Sequence, residues 1–142
     1  MIIDATDLIV GRLGTIAAKT ALMGEEVHIV NSEKAVFSGP RLRVLAQWKR
    51  IDAMGIPAKG PFVKRRPSMF LKRCIRGMVP YKQAKGRDAL ARIKCYLGVP
   101  EELAGKETIT IEKANVSKLP MTRFVTVGEI CKLLGGKQWK EK

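Results

Sequence analysis

The fold is decided by residues 1–31, MIIDATDLIVGRLGTIAAKTALMGEEVHIVN. Met1 to Ala5 is a short apolar run that predicts a strand. Leu8 to Leu22 carries apolar side chains at helical spacing, and Gly24 is suited to end that helix. Val27 to Asn31 is mostly apolar, as in a strand covered on both faces. A strand, a helix and a buried strand in this order predict a βαβ unit with parallel pairing.

Further helices and strands follow in a chain that shows no linker between separate domains. Helices are predicted after Ser38, from Pro67, over 88–92 and after Thr126, and strands over 93–97 and 108–111. The predicted fold class is α/β: a three-layer α/β/α single domain over residues 1–142, with a small, mainly parallel four-stranded sheet and a basic loop-helix insertion. The C-terminal strand and helix are placed within residues 107–136, and Trp139 is expected to dock the tail.

Two of these helices are expected to bury one face each. After Ser38, apolar side chains at spacings of three predict a buried stripe formed by Leu42, Leu45, Trp48 and Ile51. From Pro67, the expected apolar face consists of Phe70, Leu71, Cys74, Ile75 and Met78. Lys72, Arg73 and Arg76 fall on the opposite side, where they can meet a partner.

Positive charge is concentrated in the middle of the chain. The protein has 27 Lys and Arg, 13 Asp and Glu, and a formal net charge of +14. Residues 41–94, called the basic segment below, hold 16 of these cations and two of the acids, so their formal charge equals that of the whole chain. Clustered cations displace counterions from a phosphate backbone, which makes a polyanion the expected partner. On a surface whose charges serve only solubility, positive and negative side chains are usually interspersed.

Few residues offer catalytic or metal chemistry. No apolar run is long enough to cross a bilayer, so no membrane association is expected. Cys74, Cys95 and Cys131 are scattered, as in a reducing cytosol without disulfides. With a single histidine and no C-x-x-C pair, no metal or other cofactor is predicted. His28, inside a predicted strand, is interpreted as a packed side chain.

Gly11-Arg12-Leu13-Gly14 opens the first predicted helix after a strand, which is where a phosphate-binding loop lies in nucleotide-binding proteins. A dinucleotide-binding loop requires G-x-G-x-x-G, and only G-x-x-G is present, although Glu33 could imitate the ribose-binding acid. The glycines are interpreted as allowing close packing of the helix on the sheet. An enzyme and a small-molecule substrate are therefore not expected.

A series of short motifs runs along the first hundred residues. They are Asp4-Ala5-Thr6, Gly11-Arg12-Leu13, Ile29 to Lys34, Phe37-Ser38-Gly39, Arg76-Gly77-Met78-Val79-Pro80, Gly86-Arg87 and Ile93 to Tyr96 with Gly98. In this order they resemble the universal large-subunit ribosomal protein family conventionally numbered thirteen. The stretch from Gly128 to Gly136 and the compact length are similar to archaeal members. The resemblance implies a non-enzymatic α/β/α domain, cytoplasmic and in ribosomes, bound to large-subunit ribosomal RNA and neighbouring ribosomal proteins.

The predicted function is that of a structural constituent of the large ribosomal subunit, which binds and organises ribosomal RNA through a basic loop and helix face. RNA specificity is expected to come mainly from shape. The residues expected to bind RNA are Lys59, Lys64, Arg65, Arg66, Lys72, Arg73, Arg76, Lys82, Lys85 and Arg87. A free-standing RNA-binding translational regulator is the alternative, and a nucleotide-binding enzyme is a less favoured one.

Overall fold

The structure is a computed structural model of the 142-residue chain, which describes residues 1–56, 58–121 and 123–136. The helices are α1 (Val10–Leu22), α2 (Arg41–Asp52), α3 (Pro67–Arg76), α4 (Ala84–Arg92) and α5 (Val127–Leu133). The strands are β1 (Ile2–Asp4), β2 (Val27–Val30), β3 (Val36–Ser38), β4 (Ile93–Cys95) and β5 (Phe124–Thr126). The predicted α/β class is confirmed, whereas the expected docking of Trp139 lies outside the described residues.

The predicted βαβ unit forms the centre of the main sheet. β1 and β2 pair in parallel, α1 connects them, and β4 joins β2 in parallel to give the order β1-β2-β4. Successive side chains of a strand point to opposite faces, and Ile3 and Ile29 are fully buried on one face. On the other face Ile2 and His28 are half-buried and Lys94 is exposed. The apolar core therefore lies on the first of these faces.

The predicted fourth strand is reduced to one residue. Ile109 forms a single parallel bridge with Ile3, through hydrogen bonds from the Ile109 N–H to the Ile2 carbonyl (2.8 Å) and from the Asp4 N–H to the Ile109 carbonyl (3.3 Å). The segment thus lies at the outer edge of β1, and the sheet is mainly parallel as predicted. Its ladder stops there because a 3₁₀ turn, Glu112–Ala114, begins three residues later.

A second, antiparallel pair of strands was not predicted. β3 pairs with β5, although the two strands are far apart in sequence. The pairing brings together the helices that follow them, and Arg41 on α2 forms an ion pair with Glu129 on α5. Thr126-Val127-Gly128-Glu129 has the spacing of a capping box at the start of α5, and the structure forms half of it. The Thr126 hydroxyl accepts a hydrogen bond from the Glu129 N–H at 3.2 Å, while the Glu129 carboxylate binds Arg41 instead.

The predicted stripe on α2 is wrong at its first position. Leu42 is 83% exposed, and Val44 is the buried residue of this helix. A helix turns about 100° per residue, so positions repeated every three residues drift around it, and the ends of the stripe lie on opposite sides. Trp48 is half-buried and packs against Phe37 and Phe70, with ring centroids 5.9 Å and 4.6 Å away. This aromatic cluster joins α2, α3 and β3.

The predicted apolar face of α3 is largely confirmed. Phe70, Leu71 and Ile75 are buried, whereas Met78 lies beyond the end of the helix and is 40% exposed. A Cβ placed on Gly14 would lie 2.7 Å from the sulfur of Met78, so this glycine permits the close approach of α1 and the end of α3. Packing of helix on helix, rather than helix on sheet, is thus the role of Gly14.

Candidate nucleic-acid interface

Helix α3 presents the central cations of the basic segment. Pro67 begins the helix, where its fixed φ and missing N–H are well tolerated. Because the apolar side of α3 packs into the core, the cations lie on the other side, where Arg73 is exposed and Lys72 and Arg76 are half-buried. Spacings of three and four residues place such side chains along one side of a helix. The core packing of α3 therefore fixes the direction of its cations.

A shallow pocket of about 180 Å³ lies among these side chains. It is lined by Lys64, Met69, Lys72, Arg73, Arg76 and Leu90. Four of these six residues are predicted RNA-binding residues, and none carries a negative charge. Since Leu90 comes from α4 and Lys64 from the loop before α3, folding assembles this cluster from three parts of the chain. We call it the cationic pocket.

Most other predicted site residues are exposed but lie outside the cationic pocket. They are Lys59, Arg66, Lys82, Lys85 and Arg87. Arg65 differs from them, because its guanidinium lies 3.7 Å from the carboxylate of Asp52 and beside Gly135. Part of its charge therefore holds the loop against the ends of α2 and α5. That Arg65 also contacts RNA stays a prediction.

Helix α4 is held close to the turn that precedes it. Gly86 is buried on α4, and a Cβ at this position would overlap the carbonyl of Pro80 and lie 2.9 Å from the nitrogen of Tyr81. In the same turn the Arg76 guanidinium stacks over the Tyr81 ring, 4.7 Å from its centroid, which is a cation–π geometry. These contacts fix where the next cations, from Lys82 onward, leave the body of the protein.

The thiols of this region are poor nucleophiles. Burial raises the pKa of Cys74 to about 11, although the nearby charge of Arg73 lowers it in part. Burial likewise raises the pKa of Cys95 to about 12, against the opposing charge of Lys72. A thiol reacts as the thiolate, so both groups are almost wholly in the unreactive form near neutral pH.

The remaining candidate groups serve the fold. His28 stacks on Tyr96 and its Nδ1 lies 3.3 Å from the Tyr96 hydroxyl, as expected for a packed side chain. The buried carboxylate of Glu33 accepts the Gly98 N–H at 3.3 Å and so holds a backbone turn. Across the described ranges, no group of three or more His, Cys, Asp or Glu could hold a metal ion. No helix in those ranges combines the length and apolar character that a membrane span needs.

Sequence reasoning missed the apolar part of the cationic pocket. Met69 stands three, four and seven residues before Lys72, Arg73 and Arg76, so the helical period already placed it on their side. That spacing was a usable signal. The contribution of Leu90 was not visible locally, because it depends on how α4 packs beside α3.

Residues 1–102 match the family model described as Ribosomal protein L13. A relative from Methanosarcina barkeri is 47% identical over 137 residues, covering 96% of this chain and 98% of its own. Relatives from Methanococcoides burtonii (44%, covering 96% and 98%) and Sulfolobus acidocaldarius (41%, covering 96% and 93%) are also similar. Each is named large ribosomal subunit protein uL13.

A basic α/β domain with such relatives belongs to the class of ribosomal proteins of the large subunit. Within that class, the chain belongs to the ribosomal protein L13 family. The resemblance found in the sequence is therefore confirmed, including its archaeal type. Members of this family are ribosomal proteins and not enzymes, which confirms the prediction that this chain is not an enzyme.

Proposed function

We propose that this protein is a structural constituent of the large ribosomal subunit, which binds and organises ribosomal RNA through the basic segment. Membership of the L13 family and relatives named as large-subunit proteins support this assignment. The proposal places the protein in ribosomes in the cytoplasm, beside neighbouring ribosomal proteins. Residues 1–142 act as one domain, with the basic segment on its RNA side and the C-terminal segment 107–136 in its body.

The cationic pocket is the observation that carries this function. Four cations converge there without an acidic side chain among the lining residues. Like charges brought together repel each other in the free protein, and a partner with dense negative charge removes that cost. Arginine can bridge two phosphate oxygens with its planar fork, while lysine supplies a compact charge. A folded RNA offers closely spaced phosphates from separate strands, which suits cations drawn from α3 and the loop before it.

RNA recognition by such a surface depends on shape. The predicted binding residues are long, flexible cations that can follow a phosphate backbone, and the groove of A-form RNA that side chains can enter carries little sequence information. The protein would then fix RNA segments against one another rather than select a base sequence. This organising role is the one expected of a non-enzymatic ribosomal protein.

Charge reversal with a matched control tests the proposal. The variant Lys64→Glu, Arg66→Glu, Arg73→Glu changes three exposed residues of the basic segment. The control variant Lys106→Glu, Lys113→Glu, Lys118→Glu changes three exposed residues elsewhere and alters the net charge equally. Archaeal large subunits reconstituted with each protein are sedimented through a gradient, and the bound protein is quantified.

The expected result is loss of the first variant from the large-subunit fraction, with the control retained like the unchanged protein. Circular dichroism should show that both variants are folded, because every altered side chain is exposed. Equal retention of both variants would contradict the proposal. RNA binding by the unchanged protein without association with subunits would favour the translational regulator instead.

A further inference from the structure

One aromatic ring of the basic segment is left without a role in phosphate binding. Most aromatic side chains in the described part of the chain pack internally, as Phe37, Trp48 and Phe70 do in their cluster. Phe62 instead is 65% exposed, in the loop between α2 and α3. An exposed phenylalanine in a strongly cationic loop neither builds the core nor binds an anion through its own chemistry. Its position therefore needs another explanation.

The backbone of the loop holds this ring in place. A Cβ placed on Gly60 would lie 3.1 Å and 3.2 Å from two carbons of the Phe62 ring, so one part of the ring rests against the glycine backbone. Gly60 has φ +84°, a conformation that side chains other than glycine rarely adopt. Its N–H donates a 2.9 Å hydrogen bond to the Ile56 carbonyl, which closes the turn. The ring is thus oriented by a turn, while most of its surface faces solvent.

The charges around this ring indicate what covers it. Lys59 and Lys64 are exposed and flank Phe62 at distances of three and two residues in sequence. Arg66 follows two residues after Lys64 and is exposed as well. An apolar protein partner would have to desolvate this ring among cations, whereas RNA offers both a phosphate for the cations and the flat face of a base for the ring. Unpaired bases stack on exposed aromatic side chains in many RNA complexes.

We propose that Phe62 stacks on an unpaired base of the bound RNA, while Lys59 and Lys64 contact the phosphates on either side of that nucleotide. The loop thereby selects a bulge, loop or single-stranded turn rather than continuous duplex. This inference rests on the proposed function and names the RNA element that the loop recognises. Stacking is tolerant of base identity, because every base has an aromatic face. The contact therefore adds shape selection without sequence reading.

Substitutions at Phe62 test the stacking contact. The probe is large-subunit ribosomal RNA transcribed from Methanosarcina barkeri, and affinity is measured at several salt concentrations. Phe62→Ala should weaken binding by about 5-fold to about 100-fold, the range found for loss of one base–aromatic stack. Phe62→Leu keeps an apolar side chain of similar bulk but no aromatic face, so it should lose nearly as much. Phe62→Trp should bind at least as well as the unchanged protein.

Phe124 supplies the matched control, because it is another exposed phenylalanine but lies on β5, outside the basic segment. Phe124→Ala should leave the affinity unchanged. In a fluorescence titration, Phe62→Trp should be quenched by the RNA and Phe124→Trp should not. The salt dependence of affinity should stay the same in all Phe62 variants, since no cation is removed.

Several outcomes would overturn the stacking contact while leaving the proposed function intact. They are a normal affinity of Phe62→Ala, full rescue by Phe62→Leu, and absence of quenching in Phe62→Trp, each with the salt dependence preserved. If the unchanged protein showed no salt-dependent binding to RNA, that result would instead count against the proposed function itself. Thermal unfolding of each variant distinguishes a loss of affinity from a loss of fold. The melting temperature should change little, because the Phe62 ring is mostly exposed.

Discussion

Replacing Gly86 by alanine has two opposite effects on stability, a gain from helix propensity and a loss from overpacking against the turn before α4. On propensity alone, alanine in place of a helical glycine stabilises a protein by about 0.8–1 kcal/mol. At Gly86, however, the new methyl group would overlap the carbonyl of Pro80, which belongs to the backbone and cannot rotate away. Overpacking of a buried site costs about 1–3 kcal/mol, and a backbone neighbour places this site near the upper end. Gly86→Ala should therefore destabilise the fold by about 1–2 kcal/mol.

Gly11 is the matched control for this substitution. It lies in the first turn of α1, as Gly86 lies in the first turn of α4, and a Cβ at Gly11 would meet nothing within 4 Å. Gly11→Ala should therefore stabilise the protein by a few tenths to about 1 kcal/mol. The two substitutions are identical in chemistry, and the structure predicts opposite signs for them.

Urea unfolding monitored by circular dichroism measures both changes in the free energy of unfolding. In thermal unfolding, the melting temperature of Gly86→Ala should fall by about 3–8 °C, and that of Gly11→Ala should rise slightly. Because Gly86 also fixes where Lys82, Lys85 and Arg87 leave the body, its variant should bind RNA more weakly under conditions in which it is folded. An increase in stability at both positions would refute the close contact between α4 and the preceding turn.

Three further substitutions test the core, a helix cap and a buried carboxylate. Ile75→Ala should lower the free energy of unfolding by about 2–5 kcal/mol, because Ile75 is fully buried. Thr126→Ala should cost about 1 kcal/mol, since the hydroxyl of Thr126 caps α5 by accepting the Glu129 N–H. For Asp4, burial raises the pKa, but hydrogen bonds from Asn31 and from the N–H and hydroxyl of Thr6 outweigh it and hold the pKa below the ordinary value of an aspartate. The ionised carboxylate therefore stabilises the fold above about pH 4, and this contribution is lost as the pH falls. Asp4→Asn should flatten that part of the stability profile.

Chemical unfolding at fixed pH checks the first two of these substitutions, and unfolding over a series of acidic pH values checks the third. A change of only a few tenths of a kcal/mol for Ile75→Ala would place that residue outside the core. An unchanged stability of Thr126→Ala would mean that the α5 cap is satisfied by solvent. A pH profile of Asp4→Asn that overlays the original would contradict the lowered pKa.

Local periodicity predicted the elements that depend on neighbouring residues. The βαβ unit in residues 1–31 and the buried face of α3 each follow from a pattern within a single element. The charge of the basic segment was likewise visible in the sequence, because it is a sum over adjacent residues.

Features formed by distant residues could not be predicted in this way. The β3–β5 pair joins Val36 to Thr126, and the sequence of neither strand indicates which other strand it pairs with. The bridge of Ile109 to β1 was placed correctly at an edge, but its length depends on the turn that follows. Leu42 was misplaced because a stripe with spacing three drifts around the helix.

The cationic pocket illustrates the same limit at the candidate site. Lys72, Arg73 and Arg76 could be placed together from helical spacing alone. Their neighbours Lys64 and Leu90 reach the pocket only because the loop and α4 pack on either side of α3. Similarly, nothing in the sequence distinguished Arg65, which lies beside Asp52, from the adjacent Arg66. Intramolecular ion pairs of this kind are set by tertiary structure.

The affinity for large-subunit ribosomal RNA as a function of salt concentration tests the central claim most directly. If about eight phosphates are neutralised, the logarithm of the affinity should fall with the logarithm of salt at a slope steeper than about −5. Reversing Lys64, Arg66 and Arg73 should make that slope shallower by about 2 to 3, because three contacts are lost. The control set at positions 106, 113 and 118 should leave it unchanged. A slope near zero for the unchanged protein, or an equal effect of both sets, would contradict the account.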